Sequence, residues 1–303
     1  MKRRAFLKNT TAASALSGLG ILTLGSCSGS KGKHITILHT NDVHSHIDPF
    51  PKTHSLYPNL GGLARRATLV DTIRKENPNT LLFDAGDYFQ GTPYFNFYGG
   101  ELEFKLMSMM NYDAATIGNH DFDNGVDGLY AQLPYANFDL LCANYDFKNT
   151  VMNGHVKKHK IFTVDGLKIG VYGIGIELKG LVNKELFKET RYMYPYALAQ
   201  DAEKELKVYE KCDLVICLSH LGYDYENRNK PNDLVLAQKT EFTDLIIGGH
   251  THTFLDKPTI VKNKNEKDVL VNQVGCYGIN LGRIDFYFDT LKNVNSNGLS
   301  ITV

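Results

Sequence analysis

The sequence predicts a layered α/β fold, and three observations lead to this prediction. Apolar segments of strand length recur along the chain and alternate with amphipathic segments of helical length. Five of the apolar segments end in side chains that commonly bind metals. The chain has 303 residues, of which 43% are hydrophobic, so it is long enough for one large domain or two ordinary ones with a sizeable core.

The predicted strands are short apolar runs, many of them rich in β-branched residues. They cover 34–39, 80–83, 114–117, 138–144, 214–220, 243–247, 268–274 and 282–289. The segments 155–164 and 168–174 predict a hairpin, because the Asp165-Gly166 pair between them favours a tight turn.

The first predicted helix begins near Leu63, and Asn77-Pro78 ends it. Its apolar residues recur at helical spacing: Leu63, Ala67, Val70 and Ile73. Further helices are predicted over 100–111, 197–210 and 231–239. In the helix over 100–111 we expect four side chains to pack inward: Leu102, Leu106, Met109 and Met110. The Asn- and Ser-rich segment 292–298 predicts a frayed tail.

One turn, Gly118-Asn119-His120-Asp121-Phe122-Asp123, combines an amide, an imidazole and two carboxylates directly after an apolar run. An asparagine oxygen is a neutral metal ligand, and a histidine can donate a proton near neutral pH. The alternative interpretation is an ordinary surface turn, in which Asn and Asp are common.

Candidate ligands follow five predicted strands. They are Asp42 and His44, Asp87, Asn119 with His120, His220, and His250 with His252. Ligands gather at strand ends in layered α/β folds, so this pattern predicts a metal site. Alternatives remain for single members: Asp84 competes with Asp87, and a lone strand-end histidine such as His220 is more typical of a satisfied core residue.

Charge is distributed unevenly along the chain. Lysines and arginines number 33, as do aspartates and glutamates. Four of the basic residues and no acidic residue lie in 1–27, so the remaining chain carries a net charge of −4. No basic block remains after residue 27, and we therefore expect no nucleic-acid binding.

The first 27 residues predict an export signal. The segment 2–8 resembles a twin-arginine signal, and an apolar stretch over 15–24 is too short to span a bilayer. Leu24-Gly25-Ser26-Cys27 resembles a bacterial lipobox, which predicts lipidation of Cys27; an ordinary cleaved signal is the alternative. Residues 28–33 then predict a tether. We expect residues 34–290 to form the main folded domain and residues 291–303 to form a tail.

The remaining cysteines do not predict a metal site, because CxxC spacing is absent. Cys142 and Cys217 lie in apolar runs, where thiols behave as small hydrophobic groups. The spacing of Cys142, Cys212, Cys217 and Cys276 allows a disulfide but does not specify one.

The order of these motifs resembles the calcineurin-like metallophosphoesterase superfamily: Asp-x-His, Gly-Asp, Gly-Asn-His-Asp, a later strand-end His, and Gly-His-x-His. The flanking sequence resembles the catalytic domain of the bacterial 5′-nucleotidase family. The segments that carry this narrower resemblance are 37–44, 61–65, 118–123 and 275–286.

The resemblance implies a four-layer α/β/β/α sandwich of the metallophosphoesterase type with two divalent metal ions, Mn²⁺, Zn²⁺ or a similar metal. By position, Asp42, His44, Asp87 and His252 would hold one ion. Asp87, Asn119, His220 and His250 would hold the other. The same resemblance makes His120 the catalytic histidine, oriented by Asp123.

The chain departs from the family in two ways. Ser45 stands where the family often has Gly and Asp121 where it often has Glu, and we expect neither to touch the ligand set. The family also carries a C-terminal domain that stacks the nucleobase, which this sequence does not include. A separate chain is therefore an expected partner that completes the substrate pocket.

The leading hypothesis is an exported, lipid-anchored, two-metal phosphomonoesterase that hydrolyses nucleoside 5′-phosphates or related nucleotides. Three alternatives use the same site: a UDP-sugar pyrophosphatase, a cyclic-nucleotide phosphodiesterase and a sulfur-ester hydrolase. A surface lipoprotein that binds nucleotides or a partner without turnover is the alternative from another class.

Overall fold

The structure is a computed structural model that describes residues 32–227, 229–291 and 293–303. The predicted export signal, Cys27 and most of the tether lie outside these residues. Within them, 32–303 form one unit. No helix of the described residues has the length and apolar character needed to cross a membrane.

The strands are β1 (Lys33–Thr40), β2 (Thr80–Asp84), β3 (Ala114–Ala115), β4 (Asp139–Leu141), β5 (Tyr145–Asp146), β6 (Val156–Lys157), β7 (His159–Val164), β8 (Leu167–Ile174), β9 (Arg191–Tyr192), β10 (Leu214–Ser219), β11 (Leu245–Ile247), β12 (Thr259–Lys262), β13 (Asp268–Asn272), β14 (Asn280–Phe288) and β15 (Val294–Thr302). The α-helices are α1 (Leu63–Glu76), α2 (Pro93–Tyr98), α3 (Glu101–Met109), α4 (Gly125–Gln132), α5 (Lys184–Phe187), α6 (Pro195–Lys204) and α7 (Asp233–Lys239).

Two sheets form the centre of the molecule. The first has seven strands in the order β15-β14-β1-β2-β3-β4-β6, and the second has six in the order β12-β13-β11-β10-β8-β7. Strands β1 to β4 run parallel to one another, as do β8, β10, β11 and β13. Strands β7, β12 and β14 are antiparallel to their neighbours.

Three clusters of buried side chains separate four layers. Along β1, Ile35 and Ile37 join the cluster between the two sheets, whereas Leu38 packs with residues of α1 and α3. On the second sheet, Ile216 faces the first sheet, and Val215 packs with α6 and α7. This alternation follows from the period of two in a strand. The predicted α/β/β/α order is therefore confirmed.

Most predicted elements are present. The first helix, the hairpin of β7 and β8 and the strands that precede the candidate ligands form where the patterns place them. The four described cysteines after residue 31, Cys142, Cys212, Cys217 and Cys276, are buried and unpaired.

Two expectations about the secondary structure are wrong. Met109 is 78% exposed, whereas Phe104 and Met107 are buried in α3. Because each residue of a helix turns by about 100°, Met107 and Met109 lie on nearly opposite sides. The expectation of fraying over 292–298 is wrong, since Val294 to Thr302 form β15 beside β14, and the part of 291–303 that was expected to be a tail thus belongs to the sheet. Backbone groups make these hydrogen bonds, so an Asn- and Ser-rich composition does not prevent them.

Candidate metal centre

The candidate ligands come together at one edge of the two sheets. The loops after β1, β2 and β3 supply one half of the set, and those after β10 and β11 supply the other. Parallel strands have their carboxyl ends at the same edge, which explains the convergence. The structure brings together seven predicted ligands: Asp42, His44, Asp87, Asn119, His220, His250 and His252.

The first candidate group consists of Asp42, His44 and His252, whose ligand atoms lie within 4.8 Å of one another. The Nε2 atom of His252 lies 3.4 Å from Oδ1 of Asp42 and 3.0 Å from Nε2 of His44. Asp42 and His44 are buried, and His252 is half-buried.

The second candidate group consists of Asp87, His220 and His250, again within 4.8 Å. Nε2 of His220 lies 3.1 Å from Oδ2 of Asp87. The amide oxygen of Asn119 lies 2.8 Å from Nδ1 of His250, so Asn119 extends this group.

Asp87 lies between the two groups. Its Oδ2 atom is 3.1 Å from His220 Nε2 and 3.8 Å from His44 Nε2, a position from which a carboxylate can bridge two ions. Its competitor Asp84 points elsewhere: its oxygens accept hydrogen bonds from the Thr40 hydroxyl and the Gly86 amide, and it is absent from both groups.

His220 provides the test of whether these residues fit a metal. Its Nδ1 atom donates to the carbonyl of Ala85 at 2.6 Å. Its Nε2 atom is fully buried and has no hydrogen-bond partner of suitable geometry. A buried nitrogen without a donor is costly, and a lone pair of this kind is what a metal ion accepts. The residue set therefore fits a divalent metal.

The charges of the site act on its histidines in different ways. Burial, together with the nearby His220, lowers the pKa of His250 to about 4. Burial also lowers the pKa of His44. Burial alone would lower the pKa of His220, but the negative charge of Asp87, 3.1 Å from its Nε2 atom, raises that pKa to about 10, so the site favours a positive charge at this nitrogen, which a metal ion would also supply. His44 and His250 are thus neutral imidazoles, the form that binds metals.

The backbone of the candidate ligands is strained. Five of them have a positive φ: Asp42, His44, Asp87, His250 and His252, at 49°, 49°, 59°, 74° and 51°. Residues other than glycine rarely adopt this conformation, and it costs of the order of 1 kcal/mol or more at each position. Strain of this kind collects at active sites and ligand clamps, which supports a functional role for this set.

His120 stands at the edge of the centre on a short 3-10 turn, His120–Phe122. Its Nδ1 atom donates to Oδ2 of Asp123 at 3.0 Å, and its ring centroid lies 5.3 Å from that of His44. Its backbone N–H donates to Oδ1 of Asp87 at 2.8 Å. The hydrogen bond with Asp123 raises the pKa of His120 against the effect of burial.

The expectation that Asp121 does not touch the ligand set is wrong. Its carboxylate accepts hydrogen bonds from the backbone N–H groups of Asp87 and Gly118, so it contacts the ligand-bearing segments directly. Ser45, by contrast, donates to Glu103, which lies outside both candidate groups. A second supporting residue is Gln273, which donates to the carbonyl of Gly249 beside His250. The contacts of Asp121 with Asp87 and of Gln273 with Gly249 have no signal in the sequence, because each joins a side chain to the backbone of a remote segment.

A close approach of two loops explains Gly118. A Cβ atom at this position would lie 2.2 Å from Oδ1 of Asp87. Any side chain would therefore displace the carboxylate, and only glycine allows the loops after β2 and β3 to meet at the centre.

Comparisons with known proteins agree with this architecture. The family model for calcineurin-like phosphoesterases matches residues 35–254. The fold and the site thus define the class of metal-dependent phosphoester hydrolases, and the chain belongs to the calcineurin-like phosphoesterase family. Its relatives confirm the narrower resemblance to the catalytic domain of 5′-nucleotidases.

Two curated relatives and one solved structure illustrate the similarity. A trifunctional nucleotide phosphoesterase of Bacillus subtilis is 34% identical over 301 residues, covering 89% of this chain and 19% of that protein. A 5′-nucleotidase of Bos taurus is 34% identical over 304 residues, covering 91% of this chain and 50% of that protein. A 5′-nucleotidase precursor of Thermus thermophilus superposes with a TM-score of 0.80 and 32% identity, covering 89% of this chain and 55% of that one. The chain therefore spans half or less of the length of these curated relatives.

Proposed function

We propose that this protein is a two-metal phosphomonoesterase that hydrolyses nucleoside 5′-phosphates or related nucleotides outside the cytoplasm. The observation that carries the proposal is the convergence of strained ligands from both sheets around Asp87, with His120 at the open edge. The relatives named as 5′-nucleotidases support nucleotides as the substrate class.

In this proposal Asp42, His44, Asp87 and His252 hold one ion, and Asp87, Asn119, His220 and His250 hold the other. Mixed oxygen and nitrogen ligands suit Mn²⁺, Zn²⁺ or a similar metal. When bound, such ions lower the pKa of water and neutralise charge on phosphoryl oxygens. Asp121 and Gly118 keep Asp87 between the two groups.

His120 supplies the proton for the leaving alkoxide. Its Nδ1–H is committed to Asp123, so its Nε2 atom is the one available to the substrate. Asp123 thereby fixes the orientation of the imidazole and stabilises its charged form. A general acid of this kind contributes roughly 10² to 10⁴ to the rate.

We also propose that the protein is exported by its leader and anchored to the membrane through a lipid on Cys27. The twin-arginine and lipobox resemblances of residues 1–27 support this location. A separate chain that completes the substrate pocket belongs to the same proposal.

The test is phosphate release by the purified protein from nucleoside 5′-monophosphates, with UDP-sugars and cyclic nucleotides as comparison substrates and Mn²⁺ or Zn²⁺ supplied. We expect His120→Ala to keep the metal content of the wild type and to lose at least roughly a hundredfold in kcat. The control is His155→Ala, which removes an exposed histidine outside the centre.

Metal analysis of the same samples distinguishes a histidine that binds metal from one that acts only on the substrate. Full turnover by His120→Ala would remove this residue from the mechanism. A metal-loaded wild type that releases phosphate from none of the nucleoside monophosphates would refute the proposed function itself.

A further inference from the structure

Six aromatic rings form a continuous cluster beside the candidate metal centre, and none of them belongs to either ligand group. The rim aromatic cluster consists of His46, Phe50, His54, Tyr57, Phe254 and Tyr277. Tyr277 lies 4.5 Å from His46 and 5.8 Å from Phe50 between ring centroids. Phe50 leads to Tyr57 at 5.5 Å, and Tyr57 to Phe254 at 6.1 Å with the two planes 27° apart.

The cluster begins at the candidate ligands. The ring centroid of Tyr277 lies 6.0 Å from that of His44 and 5.9 Å from that of His252. From there the rings extend away from the centre along the loops after β1 and β11. The ring of His120 lies on another side of His44, 5.3 Å from it between centroids, so a nucleoside whose leaving oxygen met His120 would have the rim aromatic cluster within reach of its base.

Tyr277 is held in this place by a strained backbone. Its φ is 61°, which is unusual for a bulky side chain. Its N–H donates to the carbonyl of Asp42 at 2.7 Å, so the strained residue is tied to a candidate ligand. Strained residues of this kind are found at ligand clamps, where surrounding contacts hold them.

A role in the hydrophobic core does not account for the cluster. Phe254 is 43% exposed, and the other five rings are half-buried. No member of the cluster belongs to the three buried core clusters of the described residues. Apolar rings left at the surface beside a polar centre match the composition of small-molecule sites, which combine aromatic walls with a few polar groups.

We propose that the rim aromatic cluster binds the planar heteroaromatic ring of the leaving nucleoside by stacking. This inference rests on the proposed function, in which the adjacent centre hydrolyses a nucleotide. Every nucleobase has a π face, so stacking gives affinity with little selection among bases. The catalytic domain would then supply base affinity of its own.

Two substrates that differ only in the ring test the proposal: adenosine 5′-monophosphate and ribose 5-phosphate. We expect Phe254→Leu and Tyr57→Leu to reduce kcat/KM for the nucleotide roughly tenfold, chiefly through KM. Both variants should leave kcat/KM for ribose 5-phosphate within about twofold of the wild type. Tyr209→Leu is the matched control, since Tyr209 is 64% exposed and precedes β10, at the opposite edge of the sheet.

An equal loss for both substrates would assign the rings to shaping the metal centre and would overturn the proposal. No loss for either substrate would mean that the rings serve packing or the docking of another domain, and this result would also overturn the proposal. Calorimetric titration with adenosine, which carries no phosphate, tests base binding by the cluster independently of the proposed phosphatase function. Adenosine that binds the wild type and not Phe254→Leu supports the cluster even where no phosphate is released, and equal affinity for both contradicts it.

Discussion

At the scale of single residues, Asp121 receives hydrogen bonds from the backbone of two segments that carry candidate ligands. Its Oδ2 atom accepts from the N–H groups of Gly118 at 2.7 Å and Asp87 at 3.0 Å, and its Oδ1 atom accepts from Tyr88 at 3.0 Å. The side chain is fully buried. It therefore determines where the loop after β2 stands relative to the turn after β3.

We expect Asp121→Ala to lower the free energy of unfolding by about 2–4 kcal/mol, because it leaves several buried N–H groups without an acceptor. The variant should also bind metal more weakly, since Asp87 loses its support. Denaturant titration and metal titration measure the two effects. Asp71→Ala on the exposed side of α1 is the control, expected within about 0.5 kcal/mol of wild type. Unchanged stability of Asp121→Ala would contradict this role.

His39 shows how burial sets the response to pH. It is fully buried on β1, and its Nε2 atom accepts from the amide of Asn272 at 2.8 Å. Burial lowers its pKa from 6.5 to about 3. Between these two values the unfolded chain binds a proton at His39 and the folded chain does not. The free energy of unfolding therefore falls as the pH falls through this range.

From pH 7 to pH 5 this residue should remove about 2 kcal/mol of stability. We expect His39→Gln to lose that part of the pH dependence, whatever its effect on stability at pH 7. Urea denaturation at both pH values, in the presence of a chelator, measures it. His155→Gln should keep the wild-type dependence because His155 is exposed. The same dependence in His39→Gln as in the wild type would show that another group causes it.

At the scale of elements, β15 closes one side of the seven-stranded sheet and supports the loops at the centre. It pairs with the whole of β14. At its end, the N–H of Val303 donates to Ile279, and the carbonyl of Val303 accepts from Gly61. Ile279 follows the loop of Tyr277, and Gly61 precedes α1. The last strand thus connects the sheet to two loops near the ligands.

Gly298 is a buried position of this strand with little space for a side chain. A Cβ atom there would lie 2.6 Å from both Ile284 Cδ1 and Pro258 Cγ. We expect Gly298→Val to reduce the free energy of unfolding by about 1–3 kcal/mol through overpacking. Asn295→Val, at an exposed position of the same strand, is the control. Thermal unfolding of the two variants compares them, and equal midpoints would mean that β15 shifts freely against the sheet.

At the scale of the whole molecule, the candidate centre joins the two sheets. Asp42, Asp87 and Asn119 follow strands of one sheet, whereas His220, His250 and His252 follow strands of the other. An ion held by both halves would bind the folded state and not the unfolded chain. Metal binding should therefore stabilise the protein as a whole.

At a free metal concentration 100 times Kd, one such ion stabilises the fold by about 2.7 kcal/mol. We expect a chelator to lower the thermal midpoint while the far-ultraviolet circular dichroism at 25 °C stays unchanged, because the apolar cluster between the sheets does not depend on the ion. The shift should shrink in His220→Ala and persist in His155→Ala. Identical midpoints with and without chelator would exclude a metal of this affinity.

The sequence predicts those features of this protein that depend on local pattern. Apolar runs identify β1, β2 and β10, and the residues after them identify the candidate ligands, because strand and loop each have a residue signature. The pattern does not predict which face of α3 is buried, because more than one face carries hydrophobic residues and packing selects one of them. The pattern also does not predict the pairing of β15 with β14, because this pairing uses backbone hydrogen bonds, which every residue except proline can form.

What the sequence by itself determined is the α/β class, the strands that precede the candidate ligands and the set of candidate ligands. Only the tertiary structure decided that Asp87 rather than Asp84 stands between the two groups, that His220 is an unpartnered nitrogen rather than a satisfied core residue, and that Asp121 supports the centre. The physical reason is that these properties depend on distances between segments remote in the chain. Periodicity describes how a segment folds, but not which atoms of another segment it meets.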